Sequence, residues 1–290
     1  MTGITEVLQA DCALGEGPIW DARRKVVWFV DIKRHRLWHF DPANGSNAIS
    51  DAPDQIGWVL PASNGQLLCG LKDGLYTFSP EAAQFEKLMD VPGELPTNRL
   101  NDACTDRWGR VWFGSMDDGE SDKNGRFYVF DRGTIAPAGP SGIAITNGPA
   151  VNADSSRIYF TDSVNQKIMV ADLDKEKVSE ARMFVDITAH FPEAFPDGPT
   201  VDSEGCLWTG LYNGSAAARF SPAGELIETT ALPAKNITKL CLGGQDLRTA
   251  FVTTARQGMS EQALADSPLS GSLLTFRVKV PGFTPAEAAL

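Results

Sequence analysis

Six times along the chain, a turn rich in Asp, Asn, Gly or Ser leads into a short apolar run, usually with an aromatic centre. The pattern reads DARRKVVWFVD (21–31), NGQLLCGL (64–71) and DRWGRVWFGSM (106–116). It returns as DSSRIYFTDS (154–163), DSEGCLWTGL (202–211) and QDLRTAFVTT (245–254). A second run follows each one: RLWHFDP, LYTFSP, RFYVFD, KIMVADLD, AARFSPAG and SLLTFRV. β-Branched and aromatic residues fit a pleated, half-buried surface. Runs this short, bounded by turn residues, predict strands joined as hairpins. The centres Trp28, Leu68, Trp112, Tyr159, Trp208 and Phe251 recur roughly every 40 to 50 residues, the spacing of propeller blades. A ring of blades must close, and TEVLQA near the start is placed to complete the last blade beside SLLTFRVKV. The pattern therefore predicts an all-β, six-bladed β-propeller with a central channel, formed as one domain by residues 1–290. An open β-sandwich would not require so even a recurrence. Helical periodicity is confined to PEAAQFEKL (80–88) and SEQALAD (260–266).

Composition narrows the function. The 290 residues are 42% hydrophobic, enough for a sizeable core. The formal charge of -11 opposes binding to a phosphate backbone, so nucleic acid is not expected as a partner. No apolar stretch is long enough to span a bilayer. MTGITEVLQADC lacks the basic start and apolar core of a signal peptide. The five cysteines, Cys12, Cys69, Cys104, Cys206 and Cys241, are scattered and never form CxxC. They point to reduced thiols in a cytoplasm rather than a disulfide framework or a zinc knuckle. No membrane or protein partner is expected. Of three histidines, His35 and His39 sit four apart in RHRLWHF, which reads as a surface hairpin rather than a metal pair; His190 is alone. With no GxSxG elbow, a Ser-His-Asp hydrolase or a histidine-rich metal site has few residues to build from.

Oxygen-bearing side chains recur just ahead of the blade centres. LGEGPIW supplies Glu16, RLNDACTDRWG supplies Arg99, Asn101 and Asp102, ITNGPAVNADS supplies Asn147, and FPDGPTVDSEG supplies Asp197. Three of these share one form, EGP, NGP and DGP, each about a dozen residues before its centre. Any one alone is an ordinary turn sequence, although Glu is not a favoured turn former. Equal offsets in radial repeats bring the three side chains around one axis. Two carboxylates and an amide converging there would repel and desolvate one another unless a cation sat among them. Oxygen donors suit one hard or borderline divalent metal ion: Ca²⁺, Mg²⁺, Mn²⁺, Fe²⁺ or Zn²⁺.

LGEGPIW, PTNRLNDACTDRWGRVWFGSM, TNGPAV, PDGPTVDSEGCLW and NITKLCLGG, in this order, resemble the senescence-marker-protein/gluconolactonase/luciferin-regenerating-enzyme family over nearly the whole chain. Within it the sequence looks most like bacterial sugar lactonases of the xylonolactonase type. The resemblance implies a six-bladed propeller with one divalent metal in its channel, bound by Glu16, Asn147 and Asp197. It makes Arg99 and Asn101 contacts for a sugar lactone, with Asp102 bracing their loop. The family's further acid falls, aligned without a gap, on Gly119 in GSMDDGE, between Asp118 and Glu120; Glu120 is the expected substrate contact. The implied reaction is hydrolysis of an aldonolactone to its sugar acid, with Asp197 also accepting a proton from water. A pentonolactone such as D-xylonolactone is the first substrate expected, and a hexonolactone such as gluconolactone the second. An organophosphate or other ester hydrolase and a non-catalytic calcium-binding propeller remain alternatives, because a fold alone decides no function.

Overall fold

The structure, a computed structural model, describes residues 3–290. It is an all-β, propeller-like fold. Four sheets of four strands are built from residues 15–51, 56–89, 98–143 and 146–186. A fifth sheet has eight strands, from residues 195–231, 236–277 and the opening strand Thr5–Leu8. Its two halves meet through one parallel pair, Gly198 opposite Lys239. As expected, the first strand lies antiparallel to Leu273–Arg277, with Thr5 opposite Thr275, so the start of the chain joins its last hairpin. Strands Gly15–Asp21, Ile56–Pro61, Asn98–Thr105, Thr146–Val151, Phe195–Val201 and Asn236–Gly243 neighbour one another in a closed ring.

The repeat centres lie on the strands just outside this ring and all are buried. In three units the indole is tied down the same way. The N–H of Trp28, Trp112 and Trp208 donates to Asp21, Asp106 and Asp202, at 3.2, 2.8 and 3.1 Å. Each of those carboxylates also takes an arginine: Arg24, Arg110 or Arg219. The carboxylate thus satisfies a buried indole donor and turn backbone together. These aromatics are packing residues.

Two expectations for local structure differ in outcome. Glu261–Asp266 is helical, capped by Ser260, whose hydroxyl accepts from the Ala263 N–H. The segment 80–88 is not a helix: a turn leads into strand Gln84–Met89. Phe85 faces Phe78 across the ladder, ring centroids 4.6 Å apart, and this cross-strand pair outweighs local helix propensity. His35 ends a one-turn 3-10 segment and His39 packs on Trp28 at 4.7 Å, in the hairpin expected. All five cysteines are free.

The ring strands share a departure from regular pairing. Their registers slip between Glu16 and Ile19, Ile56 and Trp58, Leu100 and Ala103, and Asn147 and Ala150. They slip again between Pro196 and Pro199 and between Ile237 and Leu240. A bulge re-aims the side chains beside it. EGP, NGP and DGP, each an ordinary turn sequence when taken alone, are these bulges inside strands. At the opposite end of the channel the chain's last residues cross between sheets. The Ala288 N–H donates to the Pro61 carbonyl and the Ala289 N–H to the Gly109 carbonyl, each at 2.8 Å. Phe283 and Pro285 join the lining there.

Candidate functional site

Glu16, Arg99, Asn101, Glu120, Asn147 and Asp197 line one cavity of about 330 Å³. The bulges bring them together. Gly17 and Gly148 hold φ of +54° and +74°, left-handed values that side-chain-bearing residues rarely adopt, so the chain turns each preceding side chain towards the axis. Asn98–Thr105, expected as a loop, is a strand whose bulge aims Asn101 inward.

A chain of hydrogen bonds fixes the polar groups. Arg99 Nη1 donates to Asn101 Oδ1. Asn101 Nδ2 donates to the Thr146 carbonyl and, at 2.9 Å, to Asn147 Oδ1. Asn147 Nδ2 donates to Ser163 Oγ at 2.9 Å, and Ser163 donates to the Pro196 carbonyl at 2.7 Å. The amide oxygen of Asn147 thereby accepts from Asn101 and keeps a second lone pair.

Glu16 and Asp197 are 4% and 5% exposed. Burial, reinforced by the Asp102 carboxylate, pushes the Glu16 carboxyl up to about 7, against the Gly17 N–H, Lys239 and Arg99, which pull it down. Burial, then the Glu16 and Asp102 carboxylates, raise Asp197 well above the usual carboxylate range. Asp197 Oδ1 is buried with no hydrogen-bond partner. Among the described residues no group of three His, Cys, Asp or Glu has metal-binding spacing; the donor set here is two carboxylates and an amide. That set, with its unpartnered oxygen and mutual repulsion, fits a divalent cation bound by oxygen. It does not distinguish which one.

The neighbouring acids separate in space. Asp118 lies outside the cavity lining, held by Lys33 and Gln55 at 2.8 Å and Lys72 at 2.9 Å, with Arg99 Nε 3.5 Å away. Glu120 reaches the cavity from a residue with φ +60°, and its Oε1 accepts from Gln257 Nε2 at 2.9 Å. Asp102 lies below. Its Oδ2 accepts from the Gly148 N–H at 2.9 Å, and its Oδ1 from Lys239 Nζ.

Tyr212, Gln257, Ser163 and Met116 also line the cavity, and none was singled out from the sequence. Tyr212 donates through its hydroxyl to the Gln257 carbonyl at 2.9 Å. Lys239, buried beneath the site, was missed too, although a lone charge in NITKLCLG was a legible signal.

Propeller-like sheets thus enclose a cavity lined by buried acids and amides, a shape and chemistry that suit a small molecule. Residues 14–256 match the family described as SMP-30/Gluconolactonase/LRE-like region, and the chain belongs to that family. It is 31% identical over 276 residues to 6-deoxy-6-sulfogluconolactonase of Pseudomonas putida, covering 95% of each chain. It is 32% identical over 287 residues to L-arabinolactonase of Azospirillum brasilense, covering 95% of this chain and 92% of that one. The fold superposes on the crystal structure of regucalcin, a calcium-binding protein from Agrobacterium tumefaciens, with a TM-score of 0.95 and 24% identity. That match covers 100% of this chain and 98% of the other.

Proposed function

We propose that this protein is a metal-dependent sugar lactonase, a single six-bladed propeller over residues 1–290 in which the halves of the eight-stranded sheet count as two blades. The observation that carries it is the convergence of Glu16, Asn147 and Asp197 with Arg99, Asn101 and Glu120 in one cavity. Its volume of about 330 Å³ suits a ligand the size of one sugar ring. Glu16, Asn147 and Asp197 would hold one divalent ion. Such an ion, when bound, polarises an ester carbonyl and acidifies water.

The chain's own groups supply the rest. Arg99 is buried and oriented by Asn101, so its donors are fixed before substrate arrives. It binds ring oxygens or hydroxyls and offsets the negative charge that develops when the ester is attacked. Asn101 is engaged through its amide N–H groups, but its Oδ1 keeps a lone pair for a substrate hydroxyl. Glu120 accepts from another hydroxyl through the oxygen that Gln257 leaves free. With an ion bound Asp197 would be ionised, and its carboxylate would take the proton of the attacking water and return it to the ring oxygen as the ester C–O bond breaks.

A pentonolactone such as D-xylonolactone is the substrate proposed, on the resemblance to xylonolactonases and on the relative named for arabinolactone. A hexonolactone is the second reading, favoured by the relative named for a gluconolactone derivative. The free thiols fit a cytoplasmic setting. The test is proton release from D-xylono-, L-arabino-, D-glucono- and D-galactono-lactones and from a phosphotriester. Rate acceleration confined to lactones, fastest on a pentonolactone, is expected. Acceleration of the phosphotriester alone would replace the assignment with an organophosphate hydrolase.

A further inference from the structure

Two of the six ring strands, Ile56–Pro61 and Asn236–Gly243, bulge like the others but lend no side chain to the cavity, and the second of them reaches the donors from behind. At its bulge stand Thr238 and Lys239, both buried. The Thr238 hydroxyl donates to the Gly15 carbonyl at 2.7 Å, one residue before Glu16. The Lys239 stem lies across Gly198, one residue after Asp197. A Cβ at Gly198 would come within 2.6–2.8 Å of three Lys239 side-chain carbons. Lys239 Nζ donates to Asp102 Oδ1, and Asp102 Oδ2 accepts from the N–H of Gly148, one residue after Asn147. Two of these contacts end on the peptide group next to Glu16 or Asn147, and the third packs on the residue after Asp197.

We propose that Thr238 and Lys239, with Asp102, are positioning residues that set the spacing of Glu16, Asn147 and Asp197 for a divalent cation. The inference rests on the metal-site reading above. Stability alone does not account for the pair. A buried ion pair is often no more stabilising than apolar residues of the same shape, whereas removing one member leaves a charge stranded. Groups that orient the immediate donors of a metal typically change its affinity 10–100-fold when removed.

The test titrates metal-free protein with Ca²⁺, Mn²⁺ and Zn²⁺ by calorimetry, in the parent, in the Asp102→Asn/Lys239→Met double variant and in Thr238→Val. The double variant removes both charges at nearly constant shape. For the ion bound most tightly by the parent, affinity is expected to fall about 10–100-fold in the double variant. The thermal midpoint of its metal-free form should equal or exceed the parent's. Should the double variant show no cooperative unfolding, Thr238→Val decides, with an expected loss of about 10-fold. Binding within twofold of the parent in the folded variants overturns this inference and leaves the metal site standing. Absence of binding by the parent overturns both.

Discussion

Replacing Glu16 by Gln separates the cost of the site from its use. Glu16 is buried beside the Asp197 and Asp102 carboxylates, and its carboxyl titrates near 7 rather than at the ordinary 4.5. Between those values the metal-free folded protein holds a proton that the unfolded chain has released. Its stability from this group is therefore full below pH 4.5, falls as pH rises and levels off above about 7. At about 1.4 kcal/mol per pH unit, the loss is on the order of 3 kcal/mol. Gln keeps the shape and has no charge to bury. Without metal, Glu16→Gln is expected to match the parent near pH 4.5 and to exceed it at pH 8. For a chain of this size the excess corresponds to about 6 °C in thermal midpoint. With metal the order reverses, because the parent gains binding energy that the variant lacks. Circular-dichroism melts from pH 4.5 to 8.5, with chelator and with added ion, measure both halves. A variant less stable than the parent at pH 8 in chelator would refute the reasoning, as would a difference that does not change with pH.

Metal binding to the stripped protein near pH 6 should release protons from Glu16 and Asp197, whose carboxyls burial and neighbouring carboxylates (Asp102 for both, and Glu16 for Asp197) raise above the ordinary range. Titration calorimetry in buffers of different ionisation enthalpy reads the number, and a value of zero would count against their shared role. Asp197→Asn should lower kcat by about 10²–10⁴-fold while the protein still folds. Arg99→Lys should lower kcat/KM by on the order of 10²-fold, since an ammonium cannot reproduce a guanidinium held by Asn101 and facing Asp118. Gly70→Ala should destabilise the fold by about 1–3 kcal/mol or more without changing substrate preference. A Cβ there would lie 2.1 Å from the Trp58 ring, and chemical denaturation reads the loss.

The sequence patterns that proved legible were those that one strand repeats by itself. The strands around Trp28, Trp112 and Trp208 carry dense aromatic and β-branched runs, and each is a buried strand. The ring strands were harder, because LGEGPIW and PDGPTV look like turns: their Gly and Pro residues serve bulges inside strands. Outer strands such as Asn47–Asp51 are mostly exposed and carry little alternation. Glu16, Asn147 and Asp197 could be grouped because their offset repeats; their common cavity follows from equivalent bulges. Tyr212 ends the second strand of one unit and Gln257 follows that of another, and they share no motif, so nothing in one dimension connects them. GSMDDGE favours Glu120 over Asp118 without a physical reason; the turn at Glu120 supplies one, with Glu120 lining the cavity and Asp118 held among lysines.

The most direct test of the metal-lactonase assignment is the rate of acid release from D-xylono-1,4-lactone by protein stripped of metal and then reconstituted with Ca²⁺, Mn²⁺, Fe²⁺ or Zn²⁺, in the parent and in Glu16→Gln, Asn147→Ala and Asp197→Asn. The assignment predicts that activity disappears on stripping, returns to the parent with at least one ion, and returns to none of the three variants at the same ion concentration. Full activity in stripped parent, or restoration of all three variants to the parent's rate, would contradict it.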